Sequence, residues 1–412
     1  MNAASRRIQR IYLALQLLHT LAASFIWGIN TLFLLDAGLT NAQAFAANAF
    51  FTAGLVLFEV PTGVVADTRG RRMSYLLGSL TLTIATVAYL WMWRIHAPFW
   101  AWALASIFLG LGFTFFSGAV QAWLVDALKA SGFDGKLESV FAKGKIVDGI
   151  AMLTGSVAGG YIAQVTSLGV PYIARAAALA LSFVLAFLLM RDVGFEPRRT
   201  GNLVGEVKSI LRGAMKHGLG NPPVRWVMLA APFVDGVSIY AFYAAQPYLL
   251  DLYGNRQAYG VAGLAAAIFA GAQIAGGLLV PHLGRIFRRR TTVLLVAMAA
   301  TTLILALLGL LPRFAIAVAL LVAWSLLYAA VSPVRQAYLN GLIASEHRAT
   351  VLSFDSLLGS AGGVVAQPLL GRAADVWGYA TSYLCSAGVQ VLSIPFLWLA
   401  RRERAESDPI DS

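Results

Sequence analysis

F-E-V-P-T-G-V-V-A-D-T-R-G-R-R, residues 58–72, is the stretch on which the reading of this chain turns. A long apolar segment closes at Asp67, an arginine-rich turn follows, and a second apolar segment opens at Met73. Gly63 is expected to let helix backbones approach closely, and Gly70 to permit a turn that a side chain would hinder. Arg69, Arg71 and Arg72 should hold the turn on the cytoplasmic side of a membrane. Asp67 is expected to accept hydrogen bonds from these arginines or from a neighbouring helix N-terminus, where the helix dipole favours negative charge.

Composition supports a membrane setting. The 412 residues are 59% hydrophobic and only 12% charged, with mean hydropathy +0.72; a soluble chain carries about 25% charge. Apolar runs of about 20 residues recur, the length that crosses a bilayer as a helix. The net charge of +12 does not indicate nucleic acid, because the basic residues crowd alternate connections between the apolar runs. Cys385, the single cysteine, cannot form an internal disulfide. Residues 11–35 form an apolar run too long for a signal peptide and are expected to stay as the first span.

The pattern predicts an all-α membrane protein of twelve transmembrane helices in two pseudo-symmetric six-helix bundles. The spans are expected at 11–35, 43–66, 73–93, 98–128, 141–166 and 169–191, then at 224–250, 257–280, 291–311, 314–343, 350–374 and 379–400. Residues 1–191 form the first bundle, 192–223 a linker and 224–412 the second bundle. Within the linker Val204, Val207, Ile210, Leu211 and Met215 fall at helical spacing opposite Lys208, Arg212 and Lys216, which predicts an amphipathic surface helix. Joins after odd-numbered spans are poor in base. The others hold Arg69, Arg71, Arg72, Lys129, Lys136, Arg285, Arg288, Arg289, Arg290, Arg348, Arg401, Arg402 and Arg404, so both termini are expected in the cytoplasm of a bacterial inner membrane.

The two halves echo each other. Q-A-W-L at 121–124 returns as Q-A-Y-L at 336–339, and G-S-V-A-G-G from Gly155 returns as G-S-A-G-G from Gly359. Such repeats mark transporters built from related bundles around a midplane site. Gly63, Asp67, Gly70, Arg71 and Arg72 also match G-x-x-x-D-x-x-G-R-[RK], which resembles the signature loop of the major facilitator superfamily. The resemblance implies two bundles that rock about a central cavity, and secondary transport. G-S-V-A-G-G further resembles the G-P-x-x-G-G signature of drug–proton antiporters, with Ser156 in place of proline. Their fourth-helix R-x-x-Q-G is absent: aligned on Gly110, Ser106 and Leu109 stand at the arginine and glutamine positions. Coupling would then use another pair, such as Glu59 with Arg335, or be absent.

No phosphate loop of the form G-x-x-x-x-G-K-[ST], no H-E-x-x-H and no cysteine–histidine cluster occurs, so no enzyme, cofactor or metal is expected. Ionisable residues inside apolar spans carry the functional reading, since each is costly in lipid. Glu59, Asp235 and Arg335 are the proton-coupling candidates. For Glu59 a structural role in the loop stays open, and for Arg335 an internal ion pair with Asp355 or Asp235. Polar and aromatic stripes nominate Gln16, His19, Trp27 and Asn30 in the first span, Tyr243 and Gln246 in the seventh, and Trp324 and Tyr328 in the tenth, as cavity residues. The expectation is a monomeric proton-coupled exporter of small amphipathic or drug-like molecules; the alternative is an importer or facilitator of a sugar-like or other polar metabolite.

Overall fold

In the computed structural model the chain is described for residues 3–195, 197, 205, 212–213 and 215–410; most of the amphipathic helix expected from Val204 to Lys216 lies outside the described residues. The helices are α1 (Ala3–Trp27), α2 (Asn30–Asp36), α3 (Asn41–Arg69), α4 (Arg71–Ile95), α5 (Phe99–Thr114), α6 (Ala119–Ala130), α7 (Leu137–Val165) and α8 (Gly169–Leu189). After a π-helical turn at Met215–Leu219 come α9 (Pro222–Tyr253), α10 (Tyr259–Ile286), α11 (Arg290–Leu310), α12 (Phe314–Leu342), α13 (Ser345–Val391) and α14 (Ser393–Arg402). Among the described residues ten helical stretches are long and apolar enough to span a bilayer, with α5 and α6 (Phe99–Ala130) counted as one and Thr350–Arg402 as one, or eleven when α1 and α2, bent by 50°, are added as one span. The chain is a multi-pass integral membrane protein.

Three breaks interrupt the helices of the expected spans. The span expected at 98–128 is found at Phe99–Ala130, with a turn at Gly118 (φ +67°) between α5 and α6. The first span breaks between Trp27 and Asn30. The spans expected at 350–374 and 379–400 meet where they are expected to, at Gly378, whose non-helical backbone (φ +79°) kinks α13 into two helices. A residue with a Cβ at Gly118 or Gly378 would adopt the left-handed region at a cost.

The chain clusters into two compact units. The first holds residues 1–38, 50–203 and 257–267; the second holds 39–49, 204–256 and 268–412. Each is built on one close helix crossing. In the first, Gly155 and Gly159 of α7 lie against Ser24 and the Phe25 carbonyl of α1, where a Cβ would overlap both. In the second, Gly362 of α13 lies against the Pro232 backbone of α9, and Gly236 against Gly362 in turn. The repeated glycine runs of the sequence are therefore the two crossing points. A second echo is polar. Arg175 donates to Thr86 (3.1 Å) in the first unit and Gln390 to Thr301 (2.6 Å) in the second, each pair 89 residues apart.

Within the second unit, the start of α3 is capped by a residue of α13. Asp375 accepts from the backbone N–H groups of Asn41 (2.8 Å) and Ala42 (2.9 Å), and Tyr379 donates to the Asn41 side chain. Gly371 leaves room for Phe45 and the Asn41 carbonyl. Gly371, Asp375 and Gly378 repeat the Gly63, Asp67, Gly70 spacing. The sequence reading missed this copy because no arginines follow Gly378. Replacing Asp375 by Ala removes both cap bonds and is expected to cost about 1 kcal/mol, seen as a lower thermal unfolding midpoint in detergent; an unchanged midpoint would mean the cap contributes nothing.

Candidate functional site

The second unit encloses a cavity of 560 Å³. From α9 it receives Asp235 and Ser238, from α12 Trp324, Tyr328, Ser332, Arg335, Gln336 and Asn340, and from α13 Asp355, Ser356, Ser360 and Gln390. Helical spacing explains the grouping on α12, where Trp324, Tyr328, Ser332 and Arg335 rise along one face at steps of three and four. Trp324 and Tyr328 stack 5.8 Å apart at 20° and form an aromatic wall. The remaining lining, including Val227, Leu294, Met298 and Leu397, is apolar.

Arg335 and Asp355 form a bidentate pair, Nη1 to Oδ2 at 2.7 Å and Nη2 to Oδ1 at 2.6 Å. The fork geometry of guanidinium and carboxylate makes this the strong form of ion pair. Asp355 is almost wholly buried, while Arg335 keeps 26% side-chain exposure towards the cavity. Asp235 faces the same two groups electrostatically, yet among the described residues its carboxyl accepts no hydrogen bond. Its position is set by the helix crossing: a Cβ at Gly359 would strike the Asp235 carboxylate. Glycine at 359 is thus what gives the acid its space.

The first unit holds a smaller cavity of 340 Å³, lined by Gln16, His19, Tyr75, Phe113, Phe116, Ser117 and Gln121 among others. His19 lies against Phe116 with ring centres 4.3 Å apart, and its buried Nδ1 has no hydrogen-bond partner among the described residues. Gln16 and Thr20 both donate to Asp148 at 2.7 Å. Glu59 is exposed and accepts from the Ser117 hydroxyl at 2.5 Å. Arg175 is buried, with its guanidinium over the Phe113 ring.

The structure thus brings Asp235, Arg335, Trp324 and Tyr328 to one cavity and Gln16 with His19 to another. Trp27, Asn30, Tyr243 and Gln246 line neither cavity. Asn30 accepts from Tyr172 at 2.9 Å, Tyr243 packs edge-on against Phe242, and Gln246 is buried. The sequence stripe extended too far because a polar residue at helical spacing marks a helix face, not how far along that face the open space runs. Ser356, Ser360 and Gln390 were not singled out by the sequence reading. Their polar character inside apolar spans was the available signal.

The loop at 58–72 meets its expected mechanics at Asp67, through a nearby arginine, and departs from them at Gly63. Gly63 faces open space and makes no close helix approach. Asp67 pairs with Arg71 at 2.5 Å, but the helix N-terminus is capped by Asp192, which accepts from the Arg72 N–H at 2.9 Å. Gly70 does adopt the left-handed region, with φ +104°, and a Cβ there would overlap Asp192. Burial pushes the Asp192 carboxyl up, partly offset by the Arg72 N–H and by the nearby guanidiniums of Arg72 and Arg71. Arg72 also donates to the Phe187 carbonyl at 2.7 Å and lies over the Phe187 ring.

The model of the Major Facilitator Superfamily matches residues 12–363 and 229–412. The chain belongs to that superfamily. Among solved structures, this facilitator is similar in fold to a bacterial homolog of the human lysosomal transporter Spinster (15% identity, 99% of each chain covered, TM-score 0.75). It is also similar to the nucleoside transporter NupG as its D323A mutant (15% identity, 94% and 99% covered, TM-score 0.74). A D-xylose-proton symporter gives 15% identity, 96% and 98% coverage and a TM-score of 0.69. No curated protein matches the chain in sequence. The structural likenesses show the fold; membership of the superfamily indicates a transporter rather than an enzyme.

Replacing Arg335 by Met leaves Asp355 buried without its partner and is expected to destabilise the protein by about 3 kcal/mol, the lower end for a buried pair because Arg335 is partly exposed. The double variant R335M/D355L should recover much of that loss in a detergent unfolding assay. Equal loss in the single and double variants would show that the pair is not what the stability depends on.

Proposed function

We propose that this facilitator is a secondary active transporter that couples movement of a small amphipathic molecule to protons through Asp235. The observation that carries the reading is an acid without a hydrogen-bond donor, facing an already completed Arg335–Asp355 pair in a largely apolar cavity. A charged carboxylate in such a place is costly. A proton or a cationic ligand group removes the cost, so the two compete for one site, which is the requirement for exchange. Trp324 and Tyr328 give an apolar or cationic ligand a flat face to rest on. The direction we favour is export. The polar Ser356, Ser360, Gln336, Asn340 and Gln390 on the same walls support the second reading, a carrier for a sugar-like or other polar metabolite.

In this reading α13 and α14 together supply two spans, and α1 with α2 and α5 with α6 supply one each, which completes twelve helices in two bundles joined by the linker at 192–223. Glu59, hydrogen-bonded to Ser117, belongs to the loop end of α3 rather than to the coupling site. The protein works as a monomer with both termini in the cytoplasm, as the arginine distribution requires.

The test uses inside-out vesicles with an imposed proton gradient and a panel of lipophilic cations, neutral antibiotics and sugars. Wild type should collapse the gradient with at least one amphipathic substrate. Asp235→Asn should abolish that collapse while leaving downhill exchange of the same substrate intact. Gradient-driven transport at full rate in D235N would overturn the assignment, and gradient-independent sugar equilibration would favour the second reading.

A further inference from the structure

Four arginines meet outside the transport cavities. Arg289, Arg401, Arg402 and Arg404 surround a pocket of 420 Å³ together with Trp398. Arg289 precedes α11, and the other three sit at and beyond the end of α14. They come together because the chain after α14 turns back on itself. Arg289 bridges to Pro409, the Arg290 N–H donates to the Asp408 carbonyl (2.7 Å), and the Ile410 N–H donates to the Arg288 carbonyl (3.1 Å). The Arg290 guanidinium holds the Ser407 and Pro409 carbonyls at 2.5 and 2.6 Å.

Two of the nearby acids are engaged by other groups, and the exposed Glu406 makes no ion pair among the described residues. Asp408 is buried and caps the N–H of Thr291 at 2.8 Å, and Glu403 accepts from the Trp226 indole at 3.0 Å. None of the four pocket arginines makes an ion pair among the described residues; Arg402 alone has a ring contact, 4.7 Å above Trp398. Arg404 also holds a left-handed backbone, φ +49°, where glycine is the easier residue. Four guanidiniums gathered by this turn and making no ion pair among the described residues form a site for a multiply oxygenated anion.

We propose that this pocket binds the phosphodiester headgroup of an anionic membrane lipid. A lipid fits better than a free anion because the pocket continues into an apolar surface. Val391, Leu392 and Trp398 are about half exposed along the helix that leads to it, and tryptophan beside arginine is the side-chain pair of a membrane–water interface. The acyl chains would lie along that surface while the phosphate enters the arginine cluster. Docking there would tie the end of the chain to the turn before α11.

The experiment measures thermal unfolding of the full-length protein in neutral detergent, titrated with dioctanoyl phosphatidylglycerol, dioctanoyl phosphatidylcholine or inorganic phosphate. Phosphatidylglycerol should raise the midpoint saturably and the other two should not. Each neutralised arginine should weaken the apparent affinity about fivefold, so R401Q/R402Q/R404Q should lose roughly a hundredfold. Arg289→Gln, on the opposite wall, should lose about fivefold on its own and keeps the test open if the triple variant does not fold. An unaltered phosphatidylglycerol response in Arg289→Gln or in the triple variant would overturn the proposal. An equal response to inorganic phosphate would overturn the lipid assignment in favour of a soluble-anion site.

Discussion

Two helix crossings, each closed to backbone contact by glycine, hold the rest of this facilitator in place. In lipid there is no gain from hiding apolar surface between helices, so association rests on close packing and on hydrogen bonds. Gly159 against Phe25 and Gly362 against Pro232 supply the close packing. The bonds of Ser24 to Ala151, Arg175 to Thr86 and Gln390 to Thr301 supply the second term. A side chain at either crossing would force the helices apart and move every group that depends on their separation.

Asp235 is such a group. It stands one residue before Gly236, on the helix that Gly362 touches, and it fills the volume that Gly359 leaves vacant. Packing and polar chemistry are therefore set by the same few glycines. The Arg335–Asp355 pair adds a fixed dipole beside the acid, and the stacked Trp324 and Tyr328 give the cavity an apolar wall. In the first unit Asp148 accepts from Gln16 and Thr20 on one oxygen and has an exposed lysine, Lys145, 3.8 Å from the other, in place of a bidentate arginine. The two units share a plan of crossing and differ in how the carboxylate beside it is partnered.

Helix capping shows a further economy of means. Asp192 and Asp375 each supply a carboxylate to the exposed N–H groups of a helix start, Arg72 in one case and Asn41 with Ala42 in the other. Both act from a distant part of the chain, and both lie by a glycine in the left-handed region, Gly70 and Gly378. Asp67, the acid that the motif singles out, pairs instead with Arg71 one turn along. Capping from afar ties a loop to a helix start and leaves the in-loop acid free for a local ion pair.

The amino-acid sequence by itself determined the class of this protein, because bilayer thickness imposes a length and an apolar content that a chain either has or lacks. It also disclosed the internal echo and three of the ionisable residues of the larger cavity, since charge inside an apolar span stands out against its surroundings. Asp235, Arg335 and Asp355 were legible for that reason. What only the tertiary structure decided was partnership and extent: that Arg335 closes on Asp355, that Glu59 meets Ser117, that Gly63 touches nothing, and that Tyr243 and Gln246 lie outside the open space. Helical periodicity fixes which side chains share a face. Which of them meet a partner depends on the separation and tilt of helices far apart in the chain, and those follow from glycine crossings whose contacts no local pattern contains.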